Sequence, residues 1–193
     1  MLTHIVFVHG WSVCDTDTYG KLPERLAKVI PGITVSHLRL AKYISFRDEV
    51  LMNDVARAME AAVQKDLNLP PGAKFAAITH STGGPVVRTW LHQYYLRKGR
   101  PCPMSHVVHL AAAHYGSALA QLGKSTLGHI KSFAQGIEPG VGILDWLELG
   151  SRESLALNTE WAGLGPITSG PDPVFQFCLI GQQIDRKIYD QLN

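Results

Sequence analysis

Residues 75–87 read Phe-Ala-Ala-Ile-Thr-His-Ser-Thr-Gly-Gly-Pro-Val-Val. An apolar run suited to a buried strand meets Ser81 among small residues, and an apolar-periodic segment follows at once. A chain built this way passes from strand to helix in a turn sharp enough to lift a serine hydroxyl out of the top of a sheet. Strand and helix run very close at such a turn, so there is little space two residues either side of the serine. Gly83 meets that demand downstream. Thr79 occupies the upstream position where a glycine is usual, and its β-branch crowds the turn. An ordinary strand-turn-helix also fits these residues, so the surrounding chain has to discriminate.

Upstream, Ile5-Val6-Phe7-Val8 is a continuous run of β-formers, the mark of a strand buried on both faces, and it ends at His9-Gly10-Trp11-Ser12. Tyr19 to Ile30 reads as a short amphipathic helix closed by Pro31-Gly32, and Ile33 to Leu38 alternates as a strand. Asp48 to Leu67 carries a longer apolar stripe, and Pro70-Pro71-Gly72 stops it. Beyond Ser81, Pro85 to Leu96 reads as a helix with its proline in the first turn, where no N–H is needed. Val107 to Ala112 is a further strand, with His109 expected as a hydrogen-bonded core residue. From Ala118 to Gly170 the strand-helix rhythm breaks, and Val174 to Gly181 supplies the last strand.

A chain of 193 residues with 46% hydrophobic and 18% charged residues suits one globular domain. A formal net charge of +2 without a basic run argues against a nucleic-acid partner. Cys14, Cys102 and Cys178 are far apart and match no metal spacing, which predicts reduced thiols, no bound metal and no cofactor. The first residues lack a basic n-region and no apolar run approaches membrane-spanning length, so a cytoplasmic setting is expected. No G-x-G-x-x-G follows a strand, which disfavours a dinucleotide fold.

Strands alternating with helices imply an α/β architecture: a mostly parallel sheet of about five strands with helices on both faces. The serine turn and the His9-Gly10 loop both follow the C-terminal ends of strands, the rim where open α/β sheets bind ligands. With these motifs in this order, the chain resembles the α/β-hydrolase lipase superfamily over nearly its whole length. It is most similar to bacterial lipases and to GPI-inositol-deacylase-like lipases, which include phospholipase effectors. The matching residues are His9-Gly10-Trp11, Thr79-His80-Ser81-Thr82-Gly83-Gly84, and Ala113-His114-Tyr115-Gly116-Ser117, where Ala113 replaces the family's proline. The resemblance implies Ser81 as nucleophile and the N–H groups of Trp11 and Thr82 as oxyanion donors. His114 then matches a structural histidine and not the base.

The superfamily order is serine, then acid, then histidine. Asp145, Asp172, Asp185 and Asp190 follow Ser81, and Asp185 best fits the acid, after the last strand. No histidine follows His129, so the chain is expected to lack its base and to be incomplete beyond Asn193. An uncovered sheet edge beside residues 174–181 would then favour dimers.

The leading expectation is a serine ester hydrolase of lipase type in one domain, residues 1–193. A cap or lid would span 114–170, touching a membrane surface transiently. Leu119, Leu122, Ile130, Phe133 and Trp146 would line an apolar acyl pocket or pack in the core. A small-ester or thioester hydrolase and a non-catalytic scaffold are the alternatives.

Overall fold

A computed structural model describes residues 2–9, 19–44, 49–118, 120, 140–163 and 172–181. Five strands form one parallel sheet: β1 (Leu2–Val8), β2 (Thr34–Leu38), β3 (Lys74–His80), β4 (Met104–Leu110) and β5 (Phe175–Leu179). Their order is β2-β1-β3-β4-β5, so the strand ahead of Ser81 is central. The alternation of side chains along β1 explains its place. Val6 and Val8 enter the larger core, whereas Ile5 and Phe7 enter a smaller one on the opposite face.

The helices are α1 (Leu22–Val29), α2 (Met52–Asp66), α3 (Gly83–Leu91), α4 (Val141–Leu147) and α5 (Arg152–Gly163). The larger core packs Val55, Met59 and Val63 of α2, with Val86, Val87 and Trp90 of α3, against Phe75, Ala77 and Val107 of the sheet. Leu22 and Leu26 of α1 lie on the smaller core. At the start of α2, the Leu51 N–H donates to Asp54 Oδ2 at 3.0 Å, satisfying a donor the helix leaves open.

Several boundaries differ from those the sequence predicts. The helix after Ser81 begins at Gly83, and its ladder widens into a π-turn over His92–Leu96 instead of running regularly to Leu96. β4 occupies Met104–Leu110, earlier than residues 107–112, because Ala111 turns the chain with a φ of +45°. α5 has no counterpart among the sequence expectations. Its sheltered face sets the polar Ser154 and Asn158 beside Leu157 and Trp161, which pack against the larger core, while Leu155 is exposed, so its apolar stripe is broken.

Among the described strands β5 is the last of the sheet, with Phe175, Phe177 and Leu179 exposed along it. No described helix is long and apolar enough to cross a membrane.

Candidate active site

The turn from β3 into α3 has the geometry its residues demand. Ser81 has a φ of +51°, a left-handed backbone that a residue with a side chain adopts at a cost. Two contacts to the end of β4 hold it there. The Ser81 N–H donates to the Leu110 carbonyl at 3.3 Å, and the Ala113 N–H donates to the Ser81 carbonyl at 3.2 Å. A Cβ on Gly83 would come within 2.9 Å of the Val8 carbonyl oxygen, so helix and strand touch as closely as the sequence requires.

Thr79 is tolerated upstream because its hydroxyl has a partner. Its Oγ1 lies 2.8 Å from His109 Nδ1, and both side chains are buried. Gly84 is a second glycine constraint, one that the turn pattern alone does not single out. A Cβ there would overlap the Cβ of Ala112 and stand 3.0 Å from His114 Cε1. The doubled glycine after Thr82 is the available signal. Gly116, at a φ of +91°, is similarly confined: a Cβ there would come within 2.5 Å of the Leu147 carbonyl oxygen.

Thr82 is half-buried and caps α3, and its N–H meets no acceptor among the described residues. That leaves a donor at a helix N-terminus beside the Ser81 hydroxyl, where a developing negative charge would be favoured. Trp11, Leu119, Leu122, Ile130, Phe133 and Asp185 lie outside the described residues. Trp146 is 6% exposed and joins the larger core. It also lines a cavity of about 430 Å³ whose walls do not include Ser81.

Two of the nearby imidazoles are engaged away from the serine. His9 Nε2 sits 3.0 Å from His37 Nδ1, with the two rings stacked, and His109 bonds Thr79. His80 has its pKa lowered by burial. The ring of His114 packs edge-on against His109 at 4.5 Å, and neither of its nitrogens has a partner among the described residues. No described imidazole hydrogen-bonds the Ser81 hydroxyl. Asp172 is excluded as an acid by position. It pairs with Lys74 at 2.5 Å, at the start of β3, roughly 20 Å of strand from Ser81.

Arg88 and Asn158 support the site from below, and no sequence motif marks either. Arg88 donates to Asn158 Oδ1 at 3.0 Å, and Asn158 Nδ2 donates to the His114 carbonyl at 2.7 Å. This chain of bonds ties α3 and α5 to the loop after β4, the same loop that holds the Ser81 carbonyl. The pairing spans 70 residues and leaves no local pattern. Among the described residues, no three His, Cys, Asp or Glu side chains are grouped to hold a metal.

Burial, then the Arg88 charge, hold His109 at a pKa of about 4. Burial, Arg88 and His109 together hold His114 at about 3. Both are neutral when folded and titrate near 6.5 when unfolded, so the unfolded chain binds more protons below that pH. Stability is therefore expected to fall as pH drops from about 6.5 toward 4, by on the order of 3 kcal/mol for His109 alone. Urea unfolding across that range should show the slope, and His109→Asn should reduce it by roughly half, since His114 contributes in the same window. An unchanged slope would mean His109 does not carry the effect.

An all-parallel sheet, a serine strained at the end of its central strand and a helix N-terminus beside it define an α/β-hydrolase, and the chain belongs to that superfamily. It is similar to the phospholipase PlaB from Legionella pneumophila, with 48% identity and a TM-score of 0.81. That match covers 99% of this chain and 41% of PlaB, so the chain spans about two-fifths of that protein's length. The Bacillus licheniformis lipase BlEst2 shares the fold at 19% identity and a TM-score of 0.62, over 94% of this chain and 66% of its own. The metagenomic carboxyl esterase MGS0156 shares it at 19% identity and a TM-score of 0.58, over 92% of this chain and 49% of its own. No family profile and no curated protein sequence matches the chain.

Proposed function

We propose that this chain is a serine ester hydrolase of lipase type, cleaving carboxylic esters with apolar acyl groups through an acyl-Ser81 intermediate. The observation that carries this reading is the left-handed Ser81 at the β3–α3 junction, beside a Thr82 N–H that no described acceptor takes. The similarity to a phospholipase, at 48% identity over 99% of the chain, supports ester hydrolysis and brings phospholipids forward as substrates.

In this mechanism Ser81 Oγ attacks the ester carbonyl carbon as a general base takes its proton. The resulting oxyanion is held by the N–H groups of Thr82 and Trp11, each worth on the order of 3 kcal/mol. Collapse breaks the ester C–O bond, and the alcohol leaves with a proton returned by the base. Water then attacks the acyl-serine and releases the acid. The base is assigned to none of the described histidines, because none of their rings hydrogen-bonds the Ser81 hydroxyl.

That observation favours a second reading, a hydrolase scaffold whose serine is not activated. A fluorophosphonate probe separates the two. Labelling that maps to Ser81 supports the hydrolase, whereas a folded chain that stays unlabelled supports the scaffold.

A further inference from the structure

The two faces of the sheet are covered unequally. From β2 to β3, β3 to β4 and β4 to β5 the chain steps across the sheet in one direction, and right-handed crossovers put α2, α3, α4 and α5 on one face. The step from β1 to β2 runs the other way, so α1 lies on the opposite face. There Leu22 and Leu26 of α1 join Ile5, Phe7 and Val35 in the smaller core, and no other described helix contributes to it. On that side, β4 and β5 have no helix over them among the described residues.

What the open half presents is apolar. The register of β4 with β5 sets His106, Val108 and Leu110 beside Phe175, Phe177 and Leu179, on the side of the smaller core. His106 stacks on Phe175 with ring centres 5.2 Å apart, and Val108 and Leu110 are half-buried. Phe177 and Leu179 are 53% and 59% exposed. Neither strand contains Asp, Glu, Lys or Arg. Natural sheets commonly blunt an outer strand with a charge, and β5, the last described, has none.

Single apolar side chains on a surface need no partner, but a contiguous row of them does. With Ile180, exposed at the end of the row, the patch amounts to roughly 500 Å² of accessible apolar surface. Two such patches pressed together would bury about 1,000 Å², the lower limit for a specific protein interface. A second copy turned about a two-fold axis along the strands meets the patch with the same patch. Aromatic and aliphatic side chains then face their equivalents, with no charge left unpaired between them. Sheet faces pack in this way about 10 Å apart, and α1 stands over the other half of the sheet, clear of the approach.

We propose that this face is the interface of a two-fold dimer, in which two copies of this chain pack sheet on sheet through Phe175, Phe177 and Leu179. Phe177, midway along the row, lies nearest the axis and packs against its equivalent. The modest area makes the dimer weak, with a Kd on the order of 1 to 100 μM. The interface does not depend on the chemistry assigned to Ser81.

Sedimentation equilibrium of the chain from about 1 to 200 μM tests the interface. A monomer–dimer equilibrium that saturates at two copies is expected. Phe177→Thr keeps a β-former at an exposed position, so the strand survives, and should weaken the dimer at least about tenfold. Leu155→Gln, at an exposed position of α5 on the other side of the sheet, should leave it unchanged. A chain that stays monomeric at the highest concentration would overturn the proposal. A dimer that Phe177→Thr leaves unchanged would overturn it in favour of pairing through the backbone of β5. Open-ended growth with concentration would overturn it as well, since unspecific adhesion has no closed stoichiometry.

Discussion

Ser81→Ala is expected to lower turnover of short p-nitrophenyl esters by at least ~10³-fold, because the substitution removes the only atom proposed to bond the acyl group. The fold should survive. The Ser81 hydroxyl is half-buried and makes no hydrogen bond within the described residues, so its loss leaves no group unpaired there. The backbone bonds that hold the turn, from Ser81 N–H to Leu110 and from Ala113 N–H to Ser81, do not involve the side chain. Stability in urea should therefore change by less than about 0.5 kcal/mol. Turnover retained by the variant would remove Ser81 from the mechanism.

Gly84→Ala should be severe for a different reason. The added Cβ overlaps the Cβ of Ala112 and approaches His109 Nδ1 to 3.4 Å as well as the His114 ring. Ala112 belongs to the loop that holds the Ser81 carbonyl through its neighbour Ala113, so neither side can yield without moving the elbow. Overpacking of this kind costs about 3 kcal/mol when the neighbours are rigid. Turnover should fall together with the urea midpoint, since any shift of α3 displaces Ser81 from the Thr82 N–H. Gly163→Ala is the control, because nothing lies within 4 Å of that position. It should change stability by no more than about 0.5 kcal/mol. A Gly84→Ala protein as stable as the control would mean that α3 does not pack against the β4 loop as described.

Thr79 and His109 show how two local irregularities can answer each other. Along the chain, Thr79 crowds a turn and His109 interrupts an apolar strand. The register of β3 with β4 sets Thr79 opposite His109, and the two polar side chains bond across the strands. Asp172 shows the reverse. In sequence it stands with the carboxylates that follow Ser81, yet its pairing with Lys74 puts it at the opposite end of β3. Trp146 likewise reads as one more apolar residue of the 114–170 segment, and only packing places it on the floor of a cavity shared with α2, α3 and α5.

The strands, the parallel order they imply, the sharp turn at Ser81 and the glycine that turn requires were all legible in the residues alone. Each depends on side-chain periodicity or backbone sterics within a few residues, where neighbours in sequence are also neighbours in space. Folding in three dimensions settled which histidines are engaged, that Gly84 admits no side chain, and that Arg88 reaches Asn158 across 70 residues. These outcomes rest on contacts between distant segments, whose partners are chosen by how the layers pack and by which buried polar atoms must find one another.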